Sequence, residues 1–533
     1  MHALKIILFC CLMAALPVRA ATQAELAPLA GDDFDAKLAA VDKLADGTDP
    51  AAKTILQALS DGNLSATTTG QILRLDGERY LDAASGAVVT ANAADLQSLV
   101  VNNRMQRHLD SALAGLSLFD PGTKIRLAAA QQLADRSDAE LLPVISKAVT
   151  RETNPKIKKL MVQAQGMILL SSADATQRLA AARALGDSDS PQVRAQLAAR
   201  IDKSAAGSEA ETDPAVRRAI AQSVAKIDHS MQMAEYLARI FSGISLGSVL
   251  MLAALGLAII YGLMGVINMA HGEFLMIGAY ATYMVQGLFR HSFPAQIDWY
   301  LPVALPVAFG VTFLVGVILE RSVIRWLYGR PLESLLATWG LSLILIQLVR
   351  TIFGPQNVEV ANPSWMSGGW EAIPNLILPY NRMVIIAFSL GVLLIVWLIL
   401  TRTRLGLFVR GVTQNRKMAD CLGVPTSRVD TLTFGFGAGI AGLGGVALSQ
   451  IGNVGPELGQ SYIVDSFMVV VLGGVGQLAG TVTGGFGLGI VNKFLEPWAG
   501  AVMAKIIVLI LIIAFIQKRP QGLFAMKGRQ VDN

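Results

Sequence analysis

Charged residues are scarce in this chain of 533 residues: only 16% are Asp, Glu, Lys or Arg, whereas 53% are hydrophobic. In an ordinary soluble protein roughly a quarter of the residues are charged. The shortage is uneven, because residues up to about 235 are polar and later runs are almost uncharged. Some of these runs reach the ~20 residues that cross a bilayer as a helix. The composition therefore excludes a soluble enzyme and predicts a soluble domain followed by a membrane domain.

Residue patterns for metal, nucleotide or nucleic-acid binding are also missing. The three cysteines, Cys10, Cys11 and Cys421, have neither disulfide nor metal spacing, and the five histidines are scattered. No Gly-x4-Gly-Lys-Ser/Thr loop is present, so the chain cannot bind ATP by that route. The net charge of +5 comes without a basic block that alternates with aromatics. We therefore expect no catalytic residue, no metal, no bound cofactor and no nucleic-acid partner.

The N-terminus predicts a signal peptide over residues 1–20. Lys5 supplies a short positive region, residues 6–16 form an apolar core, and Val18 and Ala20 are small residues before a cleavage point. An uncleaved anchor helix is the alternative. With cleavage, residues 21–232 form an exported domain, which lies in the periplasm of a bacterium.

The exported segment contains a weak internal repeat. Three stretches, from Lys37, Arg126 and Arg178, each begin with a basic residue followed by Leu-Ala-Ala and continue into an Asp-rich turn and a second helix. Paired helices with small contact residues predict HEAT-type repeats, with an irregular helical bundle as the alternative. Between the first two copies, alternation and turn residues from Gln71 to Val89 predict a small β-hairpin. The expected fold class is all-α apart from this hairpin.

The membrane domain is predicted over residues 236–520. Its candidate spans are about 240–265, 272–289, 300–320, 334–354, 382–401, 431–451, 463–478, 482–497 and 501–517. Two of the last three are short and interrupted by glycine, and they form one broken span or two. The count is therefore eight or nine.

Positive charges predict the orientation of this domain, because Lys and Arg are enriched in cytoplasmic loops. They cluster after the third span, after the fifth span and in the tail, whereas the loop from Gly354 to Tyr380 has none. With the first domain exported, the charged loops and the tail, residues 521–533, lie in the cytoplasm. The expected location is the bacterial inner membrane. A chain that enters from outside and ends in the cytoplasm crosses an odd number of times, which favours nine.

Polar residues interrupt the stretch "VINMAHGEFLMIGAY" where the first span gives way to the second. Asn268, His271 and Glu273 lie within six positions, and Gly272 permits a bend between two helices. Polar groups inside a membrane domain mark candidate transport pathways. Candidate pathway residues are therefore Asn268, His271, Gly272, Glu273, Ser342 and Gln347. Glycines at four-residue spacing predict close helix packing at Gly435, Gly439, Gly476, Gly480 and Gly484.

Residues 402–430 form the longest loop on the predicted cytoplasmic side. Within it, "NRKMADCLGV" is typical of a short amphipathic helix with Met418, Cys421 and Leu422 along an apolar edge. Such a helix suits the groove of a soluble partner. An ordinary polar loop at the membrane surface is the alternative.

Four motifs in this half resemble the LivH-like permeases of ABC importers, which transport branched-chain amino acids. They are "GLAIIYGLMGVINMAHGEFLMIGAY", "QNRKMADCLGV…TFGFGAGIAGLGG", "VVLGGVGQLAGTVTGG" and "RPQGLF", in the family's order over about 290 residues. The resemblance implies an ATPase-coupling helix around Ala419 and Gly423. Its implied coupling residues are Gln414, Asn415, Arg416, Met418, Ala419, Asp420, Gly423 and Val424. Met418-Ala419-Asp420 stands where other importer classes have Glu-Ala-Ala.

The long exported extension, with "VNNRMQRHLDSALAGLSLF" from Val101, resembles the urea-permease branch of that family, the UrtB type. The resemblance implies a permease subunit that imports urea or short amides, with branched-chain amino acids as the alternative cargo. A stand-alone channel and a membrane-anchored scaffold are weaker alternatives. The implied partners are membrane lipid, a second homologous permease in a heterodimer, two ATPase subunits that carry ATP and Mg²⁺, and a periplasmic substrate-binding protein.

Overall fold

The computed structural model describes residues 22–31, 33–46, 50–67, 70–77, 79–91, 96–134, 139–202 and 210–524. The predicted signal peptide, residues 1–20, lies outside the described residues, and so does the predicted cytoplasmic tail beyond residue 524. The chain divides into two compact units, residues 1–231 and 232–533.

The first unit combines helices with one antiparallel sheet. Its helices are α1 (Gln23–Leu26), α2 (Phe34–Asp46), α3 (Pro50–Ser60), α4 (Asn103–Ser117), α5 (Thr123–Ala134), α6 (Leu142–Arg151), α7 (Pro155–Leu169), α8 (Ala175–Leu185), α9 (Pro191–Ile201) and the first part of α10 (Pro214–Met264). Its strands are β1 (Leu64–Thr67), β2 (Ile72–Asp76), β3 (Arg79–Asp82), β4 (Val88–Val89) and β5 (Leu96–Ser98).

The predicted hairpin from Gln71 to Val89 is present as β2–β4, but it belongs to a larger sheet. The strand order is β4-β3-β2-β1-β5, and every neighbouring pair is antiparallel. The sequence did not indicate β1 and β5 because strands of three or four residues are too short to show alternation.

An ion pair occurs at equivalent places in two successive groups of three helices, α5–α7 and α8–α10. Arg126 in the first turn of α5 and Arg178 in the first turn of α8 each donate through Nε to a glutamate, at 2.8 Å in both cases. The acceptors are Glu152 and Glu211, each three residues before the proline that begins α7 or α10. The ion pair therefore recurs after every three helices, and the assignment of paired, HEAT-like helices stays a prediction.

The second unit contains the apolar helices. They are the rest of α10, α11 (His271–Ser292), α12 (Tyr300–Ser322), α13 (Pro331–Phe353), α14 (Tyr380–Arg402), α15 (Arg404–Gln414), α16 (Arg416–Cys421), α17 (Thr426–Ser449), α18 (Leu458–Gly473) and α19 (Leu478–Lys518). A hairpin of β6 (Gly369–Ile373) and β7 (Leu376–Pro379) lies in the loop between α13 and α14, where the sequence predicted no strand.

The first apolar helix is longer than predicted. A separate span from residue 240 was expected, but α10 continues without interruption for 51 residues. No proline or glycine lies between Pro214 and Gly243, so nothing in the sequence breaks the helix there.

Six of the described helices are long and apolar enough to cross a membrane, in α10, α12, α13, α14, α17 and α19. α11 was also predicted as a span, and α18 is a shorter apolar helix that begins five residues before the predicted one. The number of crossings, eight or nine, stays a prediction.

α19 reverses direction at Gly500, which has φ 76° and ψ 163°. Before this point, Gly480 packs on the backbone of Gly473, so the first half of α19 folds back along α18. After it, Lys505 pairs with Asp465 near the start of α18, at 2.9 Å. Further on, the Leu523 N–H donates to the Leu472 carbonyl near the end of α18, at 2.9 Å. The two halves correspond to the predicted spans 482–497 and 501–517.

α17 is the central helix of the second unit, and most of its residues are buried. Its glycines allow this: Gly435 and Gly439 lie against the rings of Phe313 and Phe309, and Gly442 lies against the backbone of Gly278. Gly484 likewise packs on Val469 of α18. Gly476 has φ 76° and lies in the turn before α19, outside any helix, but its backbone packs closely on Gly262 of α10.

Candidate functional site

The polar stretch between the first two apolar helices forms a non-helical break. α10 ends at Met264, and α11 begins at His271. The prediction placed the bend at Gly272, but the left-handed residue is Gly265, with φ 64°. Gly272 lies in the first turn of α11, where a Cβ would overlap the Gly459 backbone of α18. Its glycine is required by close packing between helices.

Asn268, His271 and Glu273 are all buried at this break, with Glu273 only 1% exposed. The Asn268 side-chain oxygen accepts from the Ala270 N–H at 3.1 Å. His271 Nε2 donates to a backbone carbonyl of α10 at 3.0 Å. Glu273 Oε1 accepts from the Ser342 hydroxyl at 2.8 Å. The side chains therefore tie α11 to α10 and α13.

Each of these three side chains keeps one polar atom without a hydrogen-bond partner among the described residues. The atoms are Asn268 Nδ2, His271 Nδ1 and Glu273 Oε2. A buried polar atom left unsatisfied costs about 1–3 kcal/mol, so native proteins contain few of them. Three within six positions make this break the strongest candidate for contact with polar cargo.

The structure separates the two predicted contributors of α13. Ser342 is buried and faces Glu273, whereas Gln347 is exposed. Five positions along a helix place them about 140° apart. The sequence did not indicate Thr338, whose hydroxyl accepts from the Met269 N–H of the break at 3.1 Å. Hydroxyls at four-residue spacing, at Ser334, Thr338 and Ser342, are the signal that could have found it.

The predicted coupling helix is present as α16, and its ends are well defined. Asn415 caps it by accepting from the Met418 N–H at 2.9 Å. Beyond the helix, Gly423 has φ 81°, a left-handed conformation that terminates it. The Thr426 hydroxyl donates to Asp420 at 3.2 Å and joins α16 to the first turn of α17.

The outer face of α16 is apolar and open. Met418 is 58% exposed, Leu422 is 79% exposed, and Cys421 is exposed as well. Ala419 points the opposite way and is buried among Leu263, Val412 and Val429, with Val424 partly buried beside it. Ala419 therefore positions the helix within its own chain, and the exposed edge is the surface that a partner can touch.

Beneath α16 lies a cluster of charged and polar groups from separate segments. Arg416 forms an ion pair with the buried carboxylate of Asp430, and its guanidinium lies 5.3 Å from the ring centre of Tyr328. Tyr328 donates to Glu320 at 2.8 Å. Burial, together with this hydrogen bond, raises the pKa of the Tyr328 hydroxyl well above its ordinary value. The sequence did not indicate Glu320, Tyr328 or Asp430, because about 100 residues separate Asp430 from the other two along the chain.

A cavity of about 690 Å³ lies beside the last turns of α10. Apolar residues of α10, α14 and α19 line it, including Ile259, Leu263 and Trp397. Polar residues of α15 line it too, among them Arg410 and Gln414. Gln414, which is exposed, was predicted to contact the ATPase; it also lines this cavity, and the contact stays a prediction. No cluster of three or more metal-binding side chains occurs among the described residues.

Apolar helices, a polar break between two of them and an exposed amphipathic helix together define a polytopic membrane transport protein. The family described as "Branched-chain amino acid transport system / permease component" matches residues 239–516, more than half of the chain. The chain therefore belongs to this family of ABC permeases.

Three relatives show how far the similarity extends. The high-affinity branched-chain amino acid transport system permease protein LivH of Escherichia coli is 30% identical over 300 residues, which are 55% of this chain and 97% of LivH. BraD of Pseudomonas aeruginosa, a permease protein of a system with the same description, is 29% identical over 294 residues, which are 54% of this chain and 95% of BraD. LivM of Escherichia coli is 24% identical over 313 residues, which are 54% of this chain and 70% of LivM. No solved structure matches. The homologues of this chain are permease subunits, so the chain is a transport component and not an enzyme.

Proposed function

We propose that this chain is the inner-membrane permease subunit of an ATP-driven importer. The observation that carries the proposal is α16, a short capped helix with an open apolar edge in the loop of residues 402–430. Separate ATPase subunits supply ATP and Mg²⁺ and dock on this edge. A channel or a scaffold has no need of such a helix.

The proposed topology has nine crossings, with the first unit in the periplasm and α16 in the cytoplasm. Positively charged residues around α15 and α16 support this orientation. The reversal at Gly500 supports the odd number, because it returns the end of α19 to the end of α18.

The proposed assembly contains a second permease, two ATPases and a periplasmic binding protein. LivM, which this chain also resembles, is named as a permease protein of the same kind of system as LivH. The first unit is proposed to be a HEAT-like domain on which the binding protein docks.

A branched-chain amino acid is the first candidate for the cargo, because the relatives carry that description. The break offers a carboxyl group at Glu273, which suits an ammonium group. Urea, the cargo that the sequence first suggested, is the second candidate. The first unit supports urea, because LivH and BraD align over 97% and 95% of their own length with about half of this chain, and the family match, residues 239–516, begins after the first unit.

Uptake of labelled solutes separates the two cargoes. A strain that lacks its own leucine and urea importers is given the complete gene set of this transporter. We expect ATP-dependent uptake of leucine and none of urea. Urea uptake without leucine uptake would reverse the choice of cargo, and uptake that does not depend on the ATPase subunits would refute the importer.

Leu422→Asp tests the docking of the ATPase in the same assay. It places a charge on the exposed edge of α16 without disturbing a buried contact. We expect this variant to abolish uptake of either cargo. Arg428→Gln, at an exposed side chain that has no partner among the described residues, should transport normally.

A further inference from the structure

Two carboxylates are buried at the adjoining ends of α12 and α17. Glu320 lies in the last turn of α12 with its side chain fully buried, and Asp430 lies in the second turn of α17 with its side chain 1% exposed. Carboxylates are seldom buried unless charges or hydrogen bonds compensate the loss of water. Their partners therefore reveal what holds this part of the structure together.

The partners of Glu320 come from two different segments. Oε1 accepts from the Tyr328 hydroxyl at 2.8 Å, and Oε2 accepts from the Thr431 hydroxyl at 2.6 Å. The guanidinium of Arg325 approaches Oε2 at 3.4 Å and also donates to the Thr431 hydroxyl at 3.1 Å. One carboxylate thus joins the end of α12, the loop that follows it and the first turns of α17.

Asp430 connects this cluster to α16. Both of its oxygens accept from Arg416, which is the first residue of α16. The same guanidinium lies over the ring of Tyr328, so Arg416 contacts both the Asp430 and the Glu320 sides of the cluster. Together with the buried Ala419, this ion pair fixes α16 at two points and leaves the edge with Met418 and Leu422 open.

Buried ion pairs add little to net stability compared with apolar packing, but they can fix one particular arrangement of segments. Here the arrangement orients a helix of six residues, which is too short to hold a position by its own hydrogen bonds. A push on α16 therefore reaches α12 and α17 through the cluster. Most residues of α17 are buried in the unit, so its displacement affects the helices around it.

We propose that Arg416, Asp430, Glu320, Tyr328 and Thr431 are positioning residues that link the ATPase-docking helix to α12 and α17. The proposal rests on the proposed function, since it requires an ATPase that acts on α16. The residues touch neither ATP nor cargo. Their role is to convert movement of the docked ATPase into movement of the membrane helices.

Thr431 offers a matched pair of variants. Thr431→Val keeps the shape but removes the hydroxyl that bonds Glu320, whereas Thr431→Ser keeps the hydroxyl. Tyr328→Phe removes the other neutral donor, at a partly buried position where loss of one oxygen leaves the ring in place. Arg428→Gln is the control on the same helix.

The complete complex is reconstituted in proteoliposomes with saturating ATPase and binding protein. The measurement is the number of solute molecules transported per ATP hydrolysed. We expect this ratio to fall roughly fivefold or more in Thr431→Val and Tyr328→Phe, the lower end of ordinary coupling between sites. Thr431→Ser and Arg428→Gln should keep the wild-type ratio. Melting temperatures of the purified complexes establish that each variant is folded.

An unchanged ratio in folded Thr431→Val and Tyr328→Phe overturns the proposal. So does an equal loss in Thr431→Ser, because the hydroxyl would then have no part in the effect. Failure of the wild-type complex to couple uptake to ATP hydrolysis refutes the proposed function instead, and the two failures are therefore distinguishable.

Discussion

Glu273 is the residue whose surroundings most clearly separate transport from simple packing. It is buried in the first turn of α11, and one of its oxygens bonds the Ser342 hydroxyl. A carboxyl group at the N-terminal end of a helix is favoured by the helix dipole. Its second oxygen nevertheless has no partner among the described residues. Contact of this free oxygen with polar cargo therefore stays a proposal, and the bond to Ser342 is the part of the site that can be tested first.

Ser342→Ala tests the bond between α11 and α13. Removal of the hydroxyl leaves a buried oxygen of Glu273 unsatisfied, so we expect the variant to lose about 1–3 kcal/mol of stability. A lower melting temperature of the purified protein, together with reduced uptake, is the expected result.

The control for Ser342→Ala is Thr351→Ala on the same helix. Thr351 is exposed and its hydroxyl bonds only the Gln347 carbonyl of its own helix. The free energy of unfolding of this variant should lie within about 0.5 kcal/mol of the wild-type value. Equal melting temperatures for both variants would contradict the importance of the bond between Ser342 and Glu273.

At the scale of elements, the repeated ion pairs of the first unit define where each group of helices begins. Arg126 bonds Glu152 and also donates to the carbonyls of Asp120 and Pro121. Arg178 repeats the whole pattern one group later, with Glu211 and two preceding carbonyls. Each arginine thus joins the turn before its own helix to the turn before the third helix of the group.

These pairs predict that the first unit loses stability in acid. The arginine that donates to each carboxylate lowers the pKa of Glu152 and of Glu211 below the ordinary glutamate value. A lowered folded-state pKa contributes stability above the unfolded-state pKa, near 4.3, and the contribution is lost as pH falls towards the folded value. Hydrogen-exchange protection factors, which correct for the slower intrinsic exchange in acid, should therefore decrease in α5–α7 and α8–α10 of the full chain as pH drops below about 5.

The double variant Glu152→Gln, Glu211→Gln should have lower protection factors at neutral pH, and these should change less between neutral and acidic pH. Asp187→Asn is the control, because its pair with Lys226 is exposed on both sides and contributes about 0–1 kcal/mol. An unaltered pH dependence in the double variant would show that other groups control acid stability.

For the whole molecule, the division into two units has a consequence for transport. LivH and BraD align over nearly their whole length with about half of this chain, and the family match, residues 239–516, lies within the second unit. The permease unit is thus comparable in extent to whole relatives. Deletion of residues 22–231 is therefore expected to leave a membrane-inserted, folded protein.

We expect this deletion to weaken the affinity of the periplasmic binding protein for the complex, because the first unit is the proposed docking domain. Titration of labelled binding protein onto the complex in nanodiscs measures the affinity. Asp187→Asn, which retains the domain and changes only an exposed ion pair, serves as the comparison. Unchanged affinity after deletion would assign the docking surface to the second unit.

The apolar runs, the turn signals and the motif around Ala419 indicated by themselves that a polar domain precedes a helical membrane permease. They did so because hydrophobic length and local capping act within about 20 neighbouring residues. The break at residues 265–270 and the helix at Arg416–Cys421 are local in the same sense.

Only the tertiary structure decided which of these residues meet. Ser342 faces Glu273 while Gln347 faces away, and Ala419 supports α16 from within while Leu422 is exposed. The cluster of Glu320, Tyr328, Arg416 and Asp430 forms only when the ends of α12 and α17 pack together. Such contacts depend on which faces of distant helices touch. Close approach of the backbones, as at Gly442 and Gly278, determines these faces, and no local sequence pattern encodes them.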